Sequence, residues 1–208
     1  MAGLGLSQLL QSSALAGSFF FIGDTATQAI TGRQGLVAPS RDQELADSVT
    51  HFLRNDWDTQ RTLKMAAFGL GVNGWYFLTG FHLLDKAFGP SKTLRVAALK
   101  AVSNQLLFVP PYSAGFLYYS AAFVHQSNNP DVTPWDSMVS KFPKVYAAGC
   151  ALWPAVNVIS FRFVPPGLPR VALMNGVGLC WSTYLATVAA SSPEQVTPSS
   201  QLEKEALL

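Results

Sequence analysis

The chain has 208 residues, long enough for one domain with a sizeable core. Only 12% of them are charged while 49% are hydrophobic and 12% aromatic, about half the charge of an ordinary soluble domain, and that deficit points to lipid. A net charge of +2, with no basic run interleaved with aromatics, excludes a nucleic-acid surface, and a mean hydropathy of +0.23 requires the apolar stretches to be interrupted by polar groups.

In chain order, five intervals carry no charge: Met1 to Gly23, Met65 to Leu84, Ala101 to Val124, Val145 to Phe161 and Val171 to Pro193. A charge at the centre of a bilayer costs about 2.5–3.5 kcal/mol, and ~17–25 residues of helix cross its hydrocarbon, so these intervals have the character of membrane spans. Basic residues bracket them, including Arg61 and Lys64, Arg95 and Lys100, Lys141 and Lys144, Arg162 and Arg170; such side chains can snorkel to headgroups. The expected fold is an all-α polytopic integral membrane helix bundle with four to five transmembrane helices. The count turns on the first interval, whose start is rich in Gly, Ser and Gln, and on the last, Val171 to Ala190, which can span, re-enter or lie flat. Dividing the loops between two sides leaves six basic residues on one and eight on the other, a bias too small to set orientation.

The start of the chain, with no basic residue before Arg33, lacks the features of a secretory signal or a matrix transit peptide, so internal insertion signals are expected. Residues 1–190 read as one membrane domain. Within it the connector 31–60 holds Ser40 and Gln43 in capping-box order, followed by Leu45, Val49, Phe52 and Leu53 at helical spacing, which predicts an amphipathic interfacial helix. The Ser/Pro/Glu-rich stretch 191–208 reads as a disordered tail.

Gly69 to Gly74, GLGVNG, matches a dinucleotide-binding pattern literally but follows no strand and precedes no suitably placed acid. Its glycines read instead as small residues that let helices approach, as do Ala147, Ala151 and Ala155 on the fourth interval. Cys150 and Cys180 read as small buried hydrophobes. His51, His82 and His125 have no metal-ligand spacing with Cys, Asp or Glu, and no nucleophile elbow or phosphate loop occurs. Neither an enzyme, a metal nor a cofactor is expected.

The unusual feature is a set of polar residues within the apolar intervals or at their ends: Asp24, Gln28, Asn104, Gln105, Asn157 and Asn175. They can hydrogen-bond between helices, contributing about 0.6–2 kcal/mol each, or line a hydrated path. The path candidates are Asp24, Gln28, Gln105 and Asn157. In an antiparallel hairpin Arg61 falls beside Asp24, and the two form an ion-pair candidate.

Several motifs carry a family resemblance: Gly23-Asp24 with Gln28, Asp58-x-x-Arg61-Thr62-x-Lys64, Gly69 with Trp75-Tyr76, Lys100 with Gln105 and Pro110, Trp153-Pro154 with Asn157, Phe161-Arg162-Phe163-Val164-Pro165 with Arg170, and Trp181-x-x-Tyr184-Leu185. Together they resemble the peroxisomal membrane protein family, which includes the twenty-two-kilodalton peroxisomal membrane protein and the mitochondrial inner-membrane Mpv-Sym type. The resemblance runs from about Leu6 to Ala186. It departs at Asn104, where the family usually has Asp, at Gly74, where a His often stands, and at Leu70, where a Pro often stands. It implies a weakly selective pore for small solutes in an organelle membrane, foremost the mitochondrial inner membrane, with the peroxisomal membrane or plastid envelope as alternatives. The implied partners are the lipid bilayer and small solutes, with homo-oligomers left open and no nucleic acid. The competing reading is a non-conducting organiser that holds partner proteins or lipids.

Overall fold

In the computed structural model, residues 5–32, 56–126 and 130–190 are described. The predicted amphipathic helix of the connector and the tail 191–208 lie outside them. The described residues are all-helical and form five rods. The first is α1, Leu6–Gly32; the second is α2, Thr59–Phe68, joined through a π-helical turn at Gly69–Asn73 to α3, Gly74–Phe88. The third runs from α4, Leu94–Ser103, through a π-turn at Asn104–Phe108 into α5, Val109–Tyr119, and ends in another π-turn at Ser120–Val124. The fourth is α6, Pro134–Phe163, and the fifth α7, Leu168–Ala190.

Local sequence explains the ends. Asp58 caps α2 by accepting from the Arg61 amide at 2.9 Å. Thr133 and Asp136 form a reciprocal capping box ahead of α6, with Pro134 where its missing N–H costs nothing. Gly89 ends α3 at φ 76°, and Gly167 turns the chain between α6 and α7 at φ 94°, both in the region that favours glycine. The Val164-Pro165-Pro166-Gly167 turn separates these last two helices, and Pro169 sits in the first turn of α7.

The middle of the third rod is shaped by Pro110 and Pro111. Val109 donates past the Gln105 carbonyl to that of Asn104, closing a π-turn, and Pro110 has no N–H to take up the carbonyl left over. The Tyr146 hydroxyl fills the gap, donating to the Gln105 carbonyl at 3.2 Å. The π-turn at Gly69–Asn73 has a different cause: close contact with α1. A Cβ on Gly69 would stand 2.9 Å from Gly17 Cα, and one on Gly74 would fall onto the Ser13 backbone. The Ser12 hydroxyl donates to the Gly74 carbonyl at 2.7 Å across the same contact. Gly69 and Gly74 are an approach surface, as their sequence setting predicts, while Gly71 faces open space.

The rods close a ring. α1 packs against the second rod on one side and α7 on the other, while α6 joins the third rod to α7. Two apolar clusters fill it, one around Phe20, Met65, Phe68 and Phe116, the other around Phe81, Leu84, Ala97 and Phe161. The last interval is therefore a full helix against α1, neither short nor detached.

Two expectations are corrected. Ala147, Ala151 and Ala155 face outward, because α6 turns Val145, Gly149, Asn157 and Ser160 into the bundle and leaves the alanines on another face. Cys150 and Cys180 are exposed, not buried. Among the described residues no helix is long and apolar enough to cross a membrane. The rods have the length; the polar residues they turn inward lower their average hydropathy.

Candidate functional site

The polar residues collect in three places along the bundle axis. The first lies where α1 ends and α2 begins. Asp24, 2% exposed, accepts from Arg61 Nε at 3.0 Å, from Gln28 Nε2 at 2.7 Å and from the Thr62 hydroxyl at 2.8 Å. Gln28 also accepts from the Asp58 amide at 2.8 Å and so bridges the α2 cap to α1. Trp57 Nε1 donates to Thr62 at 3.0 Å. Two motifs 30 or more residues apart, Gly23-Asp24 with Gln28 and Asp58-x-x-Arg61-Thr62, thus meet in one network. His125 lies in its field: burial and the cations of Arg61 and Lys141 hold its imidazole down to about 4 against the pull of Asp24 and Asp58, and its Nε2 is buried without a partner.

The second place is the opposite end. Asp85, near the end of α3, accepts from Lys100 Nζ at 2.7 Å and from Arg170 at 2.6 Å, so α4 and α7 both anchor on it. Lys100 also donates to the Gly89 carbonyl at 2.7 Å, and Arg170 to the Val164 carbonyl at 3.4 Å. The Phe161 ring lies 4.6 Å from Arg170 Cζ and 5.7 Å from Lys100 Nζ. Asp85 is one residue sequence reasoning missed; it stands beside Lys86 at the edge of an apolar interval, where charges draw no notice.

Between these ends lies a cavity of about 70 Å³ to which all five rods contribute. Its polar lining is Asn73, Asn104, Asn157, Asn175, Ser113 and Tyr112. Asn73 closes one π-turn and Asn104 opens another, so the two irregular turns each deliver an amide to the cavity. Asn73 Nδ2 donates to Asn175 Oδ1 at 3.3 Å, and Asn157 Nδ2 to the Trp153 carbonyl at 2.9 Å. Three atoms are left over: Asn104 Oδ1, Asn157 Oδ1 and Asn175 Nδ2 are buried with no hydrogen-bond partner in the protein. Such atoms cost about 1–3 kcal/mol each unless something meets them.

Of the four path candidates, Asn157 lines this cavity. Gln105 is buried beside it with its amide 3.3 Å from Cys150 Sγ, and Asp24 and Gln28 belong to the ionic end instead. Asp24 and Arg61 are paired. The signature residues divide by role. Trp153 lines the cavity with Trp181, the rings T-shaped at 5.8 Å, and Pro154 follows inside α6. Tyr76 donates to the Phe108 carbonyl at 2.9 Å, and Trp75, half exposed, to the Gly71 carbonyl. Phe161 and Arg170 belong to the Asp85 end, Pro165 to the turn beside it, and Phe163 faces outward. Asn73 was concealed in GLGVNG, where the glycines drew the reading.

The arrangement is that of a small helical ring with a polar interior closed by ionic clusters. Residues 129–186 match the Mpv17 / PMP22 family. The chain is 30% identical over 139 residues to PXMP2/4 family protein 4 of Dictyostelium discoideum, covering 65% of this chain and 70% of that protein. It is 29% identical over 144 residues to the mitochondrial inner membrane protein Mpv17 of Caenorhabditis elegans, covering 69% and 76%. It is 28% identical over 152 residues to Protein SYM1 of Yarrowia lipolytica, covering 71% and 68%. No solved structure matches. The chain belongs to the Mpv17/PMP22 family.

Proposed function

We propose that this protein is a multi-pass helix bundle of an organelle membrane, the mitochondrial inner membrane in the first instance, and that its interior passes small solutes with weak selectivity. The names of several relatives as mitochondrial inner membrane proteins support the location. The distribution of side chains supports the bilayer. Large apolar residues point outward, Leu106 at 62%, Leu107 at 65%, Ile159 at 52% and Phe163 at 67% exposed, while Asp24, Asn104 and Asn157 are at most 2% exposed. A water-soluble bundle has the opposite arrangement. Average hydropathy counts both faces of each rod and so understates how apolar the outer one is. Along the second rod, Arg61 and Asp85 are separated by about 36 Å at ~1.5 Å per residue, comparable with a hydrocarbon core of about 30 Å.

The observation that carries the solute reading is the amide-lined cavity between the two ionic ends. Helix glue alone would pair those amides with one another, yet three of their atoms have no protein partner. The test is leak from liposomes reconstituted with the purified full chain. A size-limited release of small solutes is expected. Vesicles as tight as protein-free controls would overturn the pore and leave the organiser reading.

A further inference from the structure

We infer that the central cavity is a binding site for one small, uncharged, hydroxyl-bearing solute, and that its amide lining selects against ions of either sign. The pore reading is needed only for the flux part of this inference; binding stands without it.

The unpartnered atoms define what fits. Asn104 Oδ1 and Asn157 Oδ1 each need a donor, and Asn175 Nδ2 needs an acceptor. A hydroxyl group supplies both, so a molecule with two or three hydroxyls can meet all three atoms. The orientation of Asn157 is fixed, since its Nδ2 is held by the Trp153 carbonyl. Asn175 is likewise engaged through its oxygen by Asn73. Phe77, Trp153 and Trp181 provide apolar walls for a carbon skeleton. A volume of about 70 Å³ corresponds to roughly five waters at the ~10–15 Å³ each requires, room for a solute of a few heavy atoms.

Ions fare worse. A bare cation needs a shell of several oxygens, about six to eight for a calcium-like ion, and the cavity offers two unpartnered carbonyl oxygens and the hydroxyls of Ser113 and Tyr112. The Asp85 end adds positive potential: Asn104 is one helical turn from Lys100, Val171 of the lining adjoins Arg170, and the two cations share one carboxylate. An anion finds the opposite fault, two carbonyl oxygens aimed at it.

Glycerol is the probe, with tetramethylammonium and acetate as charged controls of similar size. The full chain in nanodiscs should show saturation transfer from protein protons to glycerol above empty nanodiscs, and at least threefold less to either ion. Asn157→Leu should reduce the glycerol signal at least threefold. Because that variant can fail to fold, Asn104→Asp, which changes few atoms, is the second. It should move the preference toward tetramethylammonium while leaving the melting profile cooperative. In liposomes the wild type should pass glycerol faster than either ion. Glycerol transfer no greater than in empty nanodiscs, or equal transfer to all three probes, would overturn the site. Charge-blind flux would overturn selectivity while upholding the pore, and glycerol binding in vesicles that do not leak would uphold the site while overturning the pore.

Discussion

The two ends of the bundle each hold a carboxylate, Asp24 fully buried and Asp85 with 20% of its side chain exposed, and they balance it differently. At Asp24 one acid meets one cation, and neutral donors from Gln28 and Thr62 take its other oxygen. Arg61 keeps 18% of its side chain exposed, so it retains a route to water. At Asp85 one acid is divided between two cations, Lys100 and Arg170, whose side chains are only 3% and 4% exposed. The first end is charge-balanced and rich in hydrogen bonds. The second is electropositive and depends on a single residue of the second rod, Asp85. The lesson is that two ionic ends of similar appearance differ in how much each relies on its acid.

The largest expected effect is therefore at Asp85. Asp85→Asn leaves two cations that cannot reach water, and breaking a buried ion pair costs about 3–5 kcal/mol. Thermal unfolding of the protein in detergent should show a fall larger than that caused by Asp24→Asn. If the two variants melt alike, the ends are equivalent and the contrast between them fails.

A pH series gives a second, somewhat smaller contrast. His125 near the Asp24 end is held down to about 4 from an ordinary 6.5 by burial, Arg61 and Lys141. Above pH 6.5 the imidazole is neutral in both folded and unfolded chains and contributes nothing. Between 6.5 and about 4 the unfolded chain takes up a proton that the folded one refuses, so stability falls as pH falls. At 1.36 kcal/mol per unit the loss is on the order of 3 kcal/mol, and below 4 it levels off. His125→Gln should flatten the wild-type decline across that window. An identical decline in the variant would assign it to other groups.

How far the sequence revealed this organisation depended on whether a residue was anomalous where it stood. Asp24 is the one charged side chain in the first 32 residues, whereas Asp85 is followed at once by Lys86, and with Arg61 opening the next uncharged interval the pairing of Asp24 followed from hairpin geometry. Asp85 stands where acids ordinarily stand, and its importance arises only when α4 and α7 pack against it. The cavity was half legible: Asn157 draws notice in an apolar run, but the π-turns that aim Asn73 and Asn104 depend on contact with α1 and on what Pro110 does to its neighbours' hydrogen bonds. Spacing showed that Ala147, Ala151 and Ala155 share a face of α6 but not which way it points. Asn157 held that information. Placing it inward turns Gly149 and Trp153 inward with it, at i−8 and i−4, and sends the alanines out.

The smallest expected effect concerns Asp24 itself. Asp24→Asn keeps one carbonyl oxygen that Gln28 or Thr62 can still reach, and the partly exposed Arg61 can extend its guanidinium to the headgroup region once its partner is neutral. The cost should accordingly be about 1–2 kcal/mol, a lost charge-assisted hydrogen bond rather than a stranded buried charge. Arg61→Gln alone removes the cation and leaves a carboxylate with neutral donors only. The double variant removes both charges and should be more stable than the sum of the two single losses requires. That coupling, read from four melting curves as a double-mutant cycle, isolates the pair from the network around it. A coupling near zero would mean that Gln28 and Thr62 alone hold the carboxylate. A coupling as large as that between Asp85 and Lys100 would mean that Arg61, despite its exposure, has nowhere else to go, and the two ends would then differ only in their net charge.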